Sequence, residues 1–342
     1  MDDKVKVDES SLPFYLKQSR GVGLITPKDD LLHPDSFKGV TDDSATETQY
    51  FGFSIPEENI HAVTYLWWHP NLKVCSGGLY VFKGFKNQMI DSEICDWRTY
   101  MSDKVIGNDL HEYRFDNGYG VKILEPNKLF HLTYEDTERK NSVDLKFEAV
   151  QPGVMWADGN HFEQTMKVRG SLTIKGKTYK VDCYNVRDRS WGKPRPEKSM
   201  AMPPASWMVC TFNDNFSFNC TMFDQARNNP LLPANLAASM PDDKSLVGGW
   251  VIHDGKVGGL VSADKRVVRA PGTQVSTGID LSFVDEHDRE FKLRATAIAS
   301  CAQQPTHNVL VRINLMRWEC NGLVGYGDNQ ENFWADYLHA QP

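Results

Sequence analysis

The chain predicts an all-β, mostly antiparallel protein, built as two β-barrels or half-open sandwiches in tandem. Three observations carry this expectation. Apolar residues alternate with a period of two, Asx-Gly pairs separate the alternating runs, and both halves repeat one order of strands. Hydrophobic residues make up 40% of the 342 and charged residues 24%, enough apolar material for two cores.

Residues 1–45 show no periodicity and read as an arm, with one short helix near Leu12 to Gln18. A first β-domain is expected over 46–191. Its stretch YLWWHPNL places Trp67 and Trp68 side by side, so one ring must face the interior and the other must face outward or toward the second domain. Gly77-Gly78, just beyond, reads as a bulge or sharp bend of a barrel strand. HEYRFDNGYGVKILEPNKLFHLTY, residues 111–134, reads as strand, Asn117-Gly118 turn, strand, short break, strand. Val143, Leu145, Phe147 and Ala149 then alternate with Asp144, Lys146 and Glu148.

The prolines of GKPRPEKSMAMPPAS rule out a central strand, so residues 192–206 are expected to link two domains. The second would span 207–342. Phe216, Phe218, Cys220 and Met222 share one strand face there, with Ser217, Asn219 and Thr221 on the other. Residues 248–269, around Asp254-Gly255, repeat the pattern of 111–134. A last hairpin turns at Asn321-Gly322, where both central residues of a type I′ turn need positive φ.

Several function classes are excluded by composition. A formal charge of −7, without Lys/Arg runs, argues against a nucleic-acid partner. The acidic start, MDDKVKVDES, is unlike a secretory signal, and no apolar run is long enough to span a membrane. Seven scattered cysteines without a CxxC pair suit a reducing cytoplasm. The ten histidines never stand two or four apart, so no metal site is expected. Neither P-loop nor dinucleotide fingerprint is present, and a homo-oligomer is left open.

The densest polar stretch is YNVRDRSWG, residues 184–192, at the end of the first domain's last strand. Arg187 and Arg189 point to one side of that strand and Asp188 and Ser190 to the other. Two readings stay open: an Arg/Asp network clamping the two domains, or a strand end at a cavity mouth where an arginine orients a substrate oxygen. Either way, nearby arginines would lower the proton affinity of Asp188. Tyr184 and Trp191 flank the cluster as further contacts, and Trp67 and Trp68 offer a ligand wall. A candidate proton donor lies upstream, in NHFEQTMKVRG. His161 and Glu163 share one strand face, and a carboxyl in an apolar pocket can stay neutral and protonate an alkene or a leaving hydroxyl.

The strand followed by D-x-x-W-G, here Asp188, Trp191 and Gly192, resembles the central W-x-D-H-E-W/F-G stretch of the lipocalin-like carotenoid hydratases (hydroxyneurosporene synthase). That family takes in kievitone hydratase-like proteins and fungal Diels–Alderases. Its His-Glu pair is replaced here by Arg189 and Ser190. The resemblance implies two lipocalin-like (calycin) barrels and cofactor-free chemistry on a bulky apolar molecule such as a terpenoid, steroid, polyketide or aromatic. The expected activity is hydration, dehydration, isomerisation or bond cleavage by acid/base catalysis. The alternative is a non-catalytic carrier of a lipophilic ligand.

Overall fold

A computed structural model describes residues 22–107, 109–195 and 199–341. The helix expected near Leu12 to Gln18 lies outside these residues. The first half is one antiparallel sheet of twelve strands. It comprises β1 (Val22–Leu24), β2 (Ala45–Ile55), β3 (Ile60–His69), β4 (Val74–Lys83), β5 (Ile94–Ser102) and β6 (Glu112–Arg114). It continues with β7 (Gly120–Glu125), β8 (Leu129–Asp136), β9 (Asn141–Ala149), β10 (Val154–Trp156), β11 (His161–Ile174) and β12 (Lys177–Pro194). The main path runs β5-β4-β3-β2-β12-β11-β9-β8-β7-β6, and β10 bridges β1 to β11.

The second half is a closed eight-stranded barrel. Its strands are β13 (Ala205–Asn213), β14 (Phe216–Phe223), β15 (Leu246–His253), β16 (Lys256–Arg269), β17 (Ser276–Asp285), β18 (Glu290–Thr306), β19 (Val309–Cys320) and β20 (Leu323–Trp334). Two short helices, α1 (Ala234–Ser239) and α2 (Ala335–His339), lie outside it. No described helix is long and apolar enough to cross a membrane. All seven cysteines are free thiols.

Each half buries its own alternating face. Phe51, Phe53, Phe130 and Phe147 lie in the core of the first sheet. Phe216, Phe218, Phe283 and Trp318 fill the barrel. A third cluster joins the halves, setting Val63, Tyr80, Phe82 and Val186 of the sheet against Val209, Val311, Ile313 and Leu315 of the barrel. Both faces of β2 and β14 are therefore buried along their whole length. The polar alternate residues of β14 meet the other half rather than water.

The turns follow backbone chemistry, with one departure. Asp254-Gly255 and Asn321-Gly322 both take positive φ at both positions, as does Lys175-Gly176. At Asn117-Gly118 only the glycine does. The turn is longer there, closed by Phe115 N on Tyr119 O at 2.7 Å, and needs a single left-handed residue. Gly78 sits at φ 139°, where an added Cβ would lie 2.2 Å from the carbonyl oxygen of Asp96, so only glycine fits this sheet spacing. The short break that the repeat implies within 248–269 does not end a strand. β16 runs through it, absorbing the irregularity as a bulge between Leu260 and Ser262.

One end of the barrel carries a buried ionic cluster. Asp224 pairs with Lys265 and with Arg269, each at 2.8 Å, and Arg269 reaches Glu331 at 2.5 Å. Lys265 also donates to Ser206 Oγ at 2.7 Å, and Ser276 donates to Glu331. Burial alone would raise the Asp224 carboxyl, but Arg269 and Lys265 hold it well below the usual carboxylate range.

Candidate active site between the two halves

The site is laid out by strand register. Glu163 of β11 stands directly across from Asp188 of β12, and His161 from Ser190. The row continues from Asp188 to Tyr50 of β2, Tyr65 of β3, Gly78 of β4 and Trp97 of β5. Residues paired across strands share a face, so all of these side chains project from the side of the sheet that meets the barrel.

Glu163 is fully buried and collects donors from both halves. Its Oε2 accepts from Trp156 Nε1 at 2.7 Å and Trp250 Nε1 at 2.9 Å. Its Oε1 accepts from Trp207 Nε1 at 3.0 Å and contacts His161 Nε2 at 2.8 Å. Trp156 belongs to the sheet, while Trp207 and Trp250 belong to the barrel. An indole N–H can only donate, so three of the four neighbours demand an acceptor, and His161 is the partner left for any proton on this carboxyl. The expectation that Glu163 supplies a proton to a substrate meets a carboxyl with both oxygens already engaged. Glu163 acts instead on His161: burial works against the imidazolium, but the Glu163 charge and hydrogen bond outweigh it and raise its proton affinity. Asp188 and Asp158 push the same way.

Asp188 is the less committed group. It is half-buried, and no described group donates a hydrogen bond to its carboxyl. Burial pushes that carboxyl up to about 6. His161 and Arg195 pull it down, while Glu163 and Asp328 raise it. The expected pairing of Asp188 with an arginine, and the lowered proton affinity it implied, are therefore overturned. Arg187 and Arg189 occupy the opposite face of β12.

The stability consequence has a definite sign. A folded-state value raised from 3.8 to about 6 favours the folded protein at low pH, and that contribution is lost as pH rises through about 6. Ionised Asp188 then costs about 3 kcal/mol at neutral pH. Asp188→Asn is expected to melt at or above the wild-type temperature at pH 8, with the gap closing at pH 4. A variant melting well below wild type at pH 8 would contradict this.

The two arginines clamp the N-terminal segment to the sheet rather than the two halves to each other. Arg187 is fully buried, pairs with Asp30 at 2.6 Å, donates to Gln164 Oε1 at 2.8 Å and lies over the ring of Phe130. Arg189 donates to the carbonyls of Asp29 and Leu31 and pairs with Glu47. Trp191 stacks on His33 at 3.7 Å, away from Glu163. Trp68 packs against Phe37 beneath the sheet. Tyr184 is on the right face but four residues from Asp188, where it donates to Asp214 Oδ1 at 2.7 Å. Of the expected contacts, only Trp67 joins the row of rings beside Asp188.

That row holds residues the sequence reading passed over. Trp207 lies edge-on to Tyr50 at 6.2 Å, and Tyr50 is followed by Tyr65 at 6.2 Å. Tyr65 in turn contacts Trp67 and Trp97, each at 6.4 Å. Tyr65, Trp67, Trp97 and Trp207 are all partly exposed. Arg195 contacts Ser190 Oγ, and Ser190 shares a 2.8 Å hydrogen bond with Thr48 Oγ1. Two signals were available in the sequence. Tyr65 stands two residues before Trp67 and so shares its face, and Arg195 lies between two prolines that hold it extended. Among the described residues, no group of three or more His, Cys, Asp and Glu side chains is arranged to hold a metal ion.

The fold is shared with solved structures. An AttH-type protein of Nitrosomonas europaea superposes with a TM-score of 0.53 at 12% identity, covering 92% of this chain and 97% of its own. Kievitone hydratase of Nectria haematococca does so with a TM-score of 0.53 at 10% identity, covering 94% and 99%. None of the curated proteins matches the sequence. A sequence family does: residues 26–333 match the domain of unknown function DUF7064, and the chain belongs to that family.

Proposed function

We propose that the protein is an acid/base enzyme of the hydratase type, adding water to or removing it from a bulky apolar small molecule held between the sheet and the barrel. The observation that carries this reading is the placement of Asp188: a carboxyl across from Glu163 on one side and Tyr50 on the other, pushed by burial up to about 6, beside a row of partly exposed aromatic rings. Such a group suits proton transfer at neutral pH. The rings suit an apolar skeleton, at roughly 25 cal/mol per Å² of area buried. In the hydration direction, Asp188 or the His161 imidazolium gives its proton to one alkene carbon. Water adds to the other carbon, and its surplus proton returns to the group that gave one. Tyr65 and Arg195 would hold a substrate oxygen, and Glu163 keeps His161 charged. The fold shared with kievitone hydratase is consistent with this assignment.

The test is isotopic. Prenylated phenols, terpenoids and polyketide alkenes are incubated with the protein in ¹⁸O-labelled water, and products are weighed by mass spectrometry. One ¹⁸O-containing product, lost in Asp188→Asn while quenching of tryptophan fluorescence by the substrate persists, is the expected result. Quenching without incorporation from any of these compounds would favour the carrier reading, for which the same aromatic row suffices without a proton donor.

A further inference from the structure

The barrel sends a carboxylate of its own into the contact between the halves, beside the apolar cluster that joins them. Asp328 of β20 is fully buried, accepts the hydroxyl hydrogen of Tyr50, and places Oδ1 3.3 Å from Nε2 of the equally buried His61. The surrounding side chains include Val63, Phe82, Val209, Ile313 and Leu315. A charge in such a place is costly to desolvate, which raises the question of what it does. Tyr50 stands directly across from Asp188. A tyrosine has one hydrogen to donate, and this one goes to Asp328, on the barrel side, rather than to its strand neighbour.

We propose that Asp328 is a positioning residue for Asp188: by holding the Tyr50 hydrogen it denies Asp188 the donor that would otherwise fix it as an anion, and its charge adds to the same effect. The inference rests on the reading that Asp188 handles the proton. The groups facing Asp188 are His161 and Glu163 from β11, Tyr50 from β2, Tyr65 from β3, Arg195 beyond β12 and Asp328 from β20. Of these, Asp328 alone among the acids comes from the barrel, so the proton affinity of Asp188 depends on how the halves are joined.

The experiment is a ¹³C titration of full-length protein labelled at the aspartate carboxyl carbon, with the Asp188 signal identified by its loss in Asp188→Asn. In Asp328→Ala the Asp188 midpoint is expected to fall by on the order of one pH unit, since a neighbouring charge is lost and a hydroxyl is released toward it. In the double variant Tyr50→Phe, Asp328→Ala the fall is smaller, because no hydroxyl remains to turn. Asp328→Asn covers the case in which alanine does not fold. It keeps an acceptor for Tyr50, and the midpoint falls less than with alanine, through charge alone. An unchanged midpoint in Asp328→Asn, or equal midpoints in the alanine single and double variants, would overturn the proposal. No substrate is needed, so absence of turnover would remove the hydratase reading while leaving this coupling intact.

Discussion

Glu163→Gln is expected to loosen the joint between the sheet and the barrel and to abolish turnover together. A glutamine side chain offers one oxygen where the carboxylate offers two, and its amide nitrogen would be aimed at N–H donors. Trp156 and Trp250 meet on one oxygen, while Trp207 and His161 meet on the other. Whichever way the amide turns, one pair of donors is left facing a donor in a buried place. Removing one partner of a buried ion pair costs about 3–5 kcal/mol, and the His161–Glu163 contact is of this kind. The loss should be largest at low pH. The raised proton affinity of His161 contributes stability that is full below 6.5 and disappears as pH rises through its folded-state value. Thermal melts at pH 5 and pH 9 measure this, and the indole N–H resonances of the three tryptophans report the contacts directly. Wild-type melting with unmoved indole signals would remove Glu163 from the centre of the joint.

A second large effect is expected far from that site, in the barrel's ionic cluster. Asp224→Asn leaves Lys265 and Arg269 buried with only Glu331 to balance them. About 3–5 kcal/mol should be lost, for the same reason. The depressed proton affinity of Asp224 means that its stabilisation is present above the ordinary aspartate value and lost as pH falls below it. The wild type should therefore lose this stability in acid while the asparagine variant has already lost it, so their urea midpoints converge as pH drops from 6 to 3. Parallel curves across that range would show that Asp224 does not carry its charge.

Strand periodicity reads well in this chain because both halves keep an alternating apolar core, from Val143 to Ala149 and again from Phe216 to Met222. What periodicity cannot convey is the fate of the other face. Ser217, Asn219 and Thr221 look like surface residues, yet they are buried, because a second sheet rather than water lies against them. The candidate site has the same limit. His161 and Glu163 are two apart and plainly share a face, whereas Trp207, Trp250 and Asp328 reach that face only through the docking of the barrel. Arg187 and Arg189 misled for a complementary reason. A charged cluster declares that buried partners exist without saying where, and here they come from Asp30 and Glu47, far upstream.

The order of synthesis gives the shared face another meaning. The strands of the first sheet are complete before Ala205 leaves the ribosome, and at the usual pace of about 5–20 residues per second the barrel follows on the order of ten seconds later. Through that interval the side of the sheet bearing Tyr50, His61, Tyr80 and Phe82 has no partner. A wholly aliphatic surface would invite nascent chains to stick to one another. Glu163, Asp188, His161, Thr165 and His61, scattered among the rings, keep the waiting surface wetted until the barrel closes over it. On the reading that Asp188 and His161 handle protons, both would first serve as a solubility device for the half-made protein.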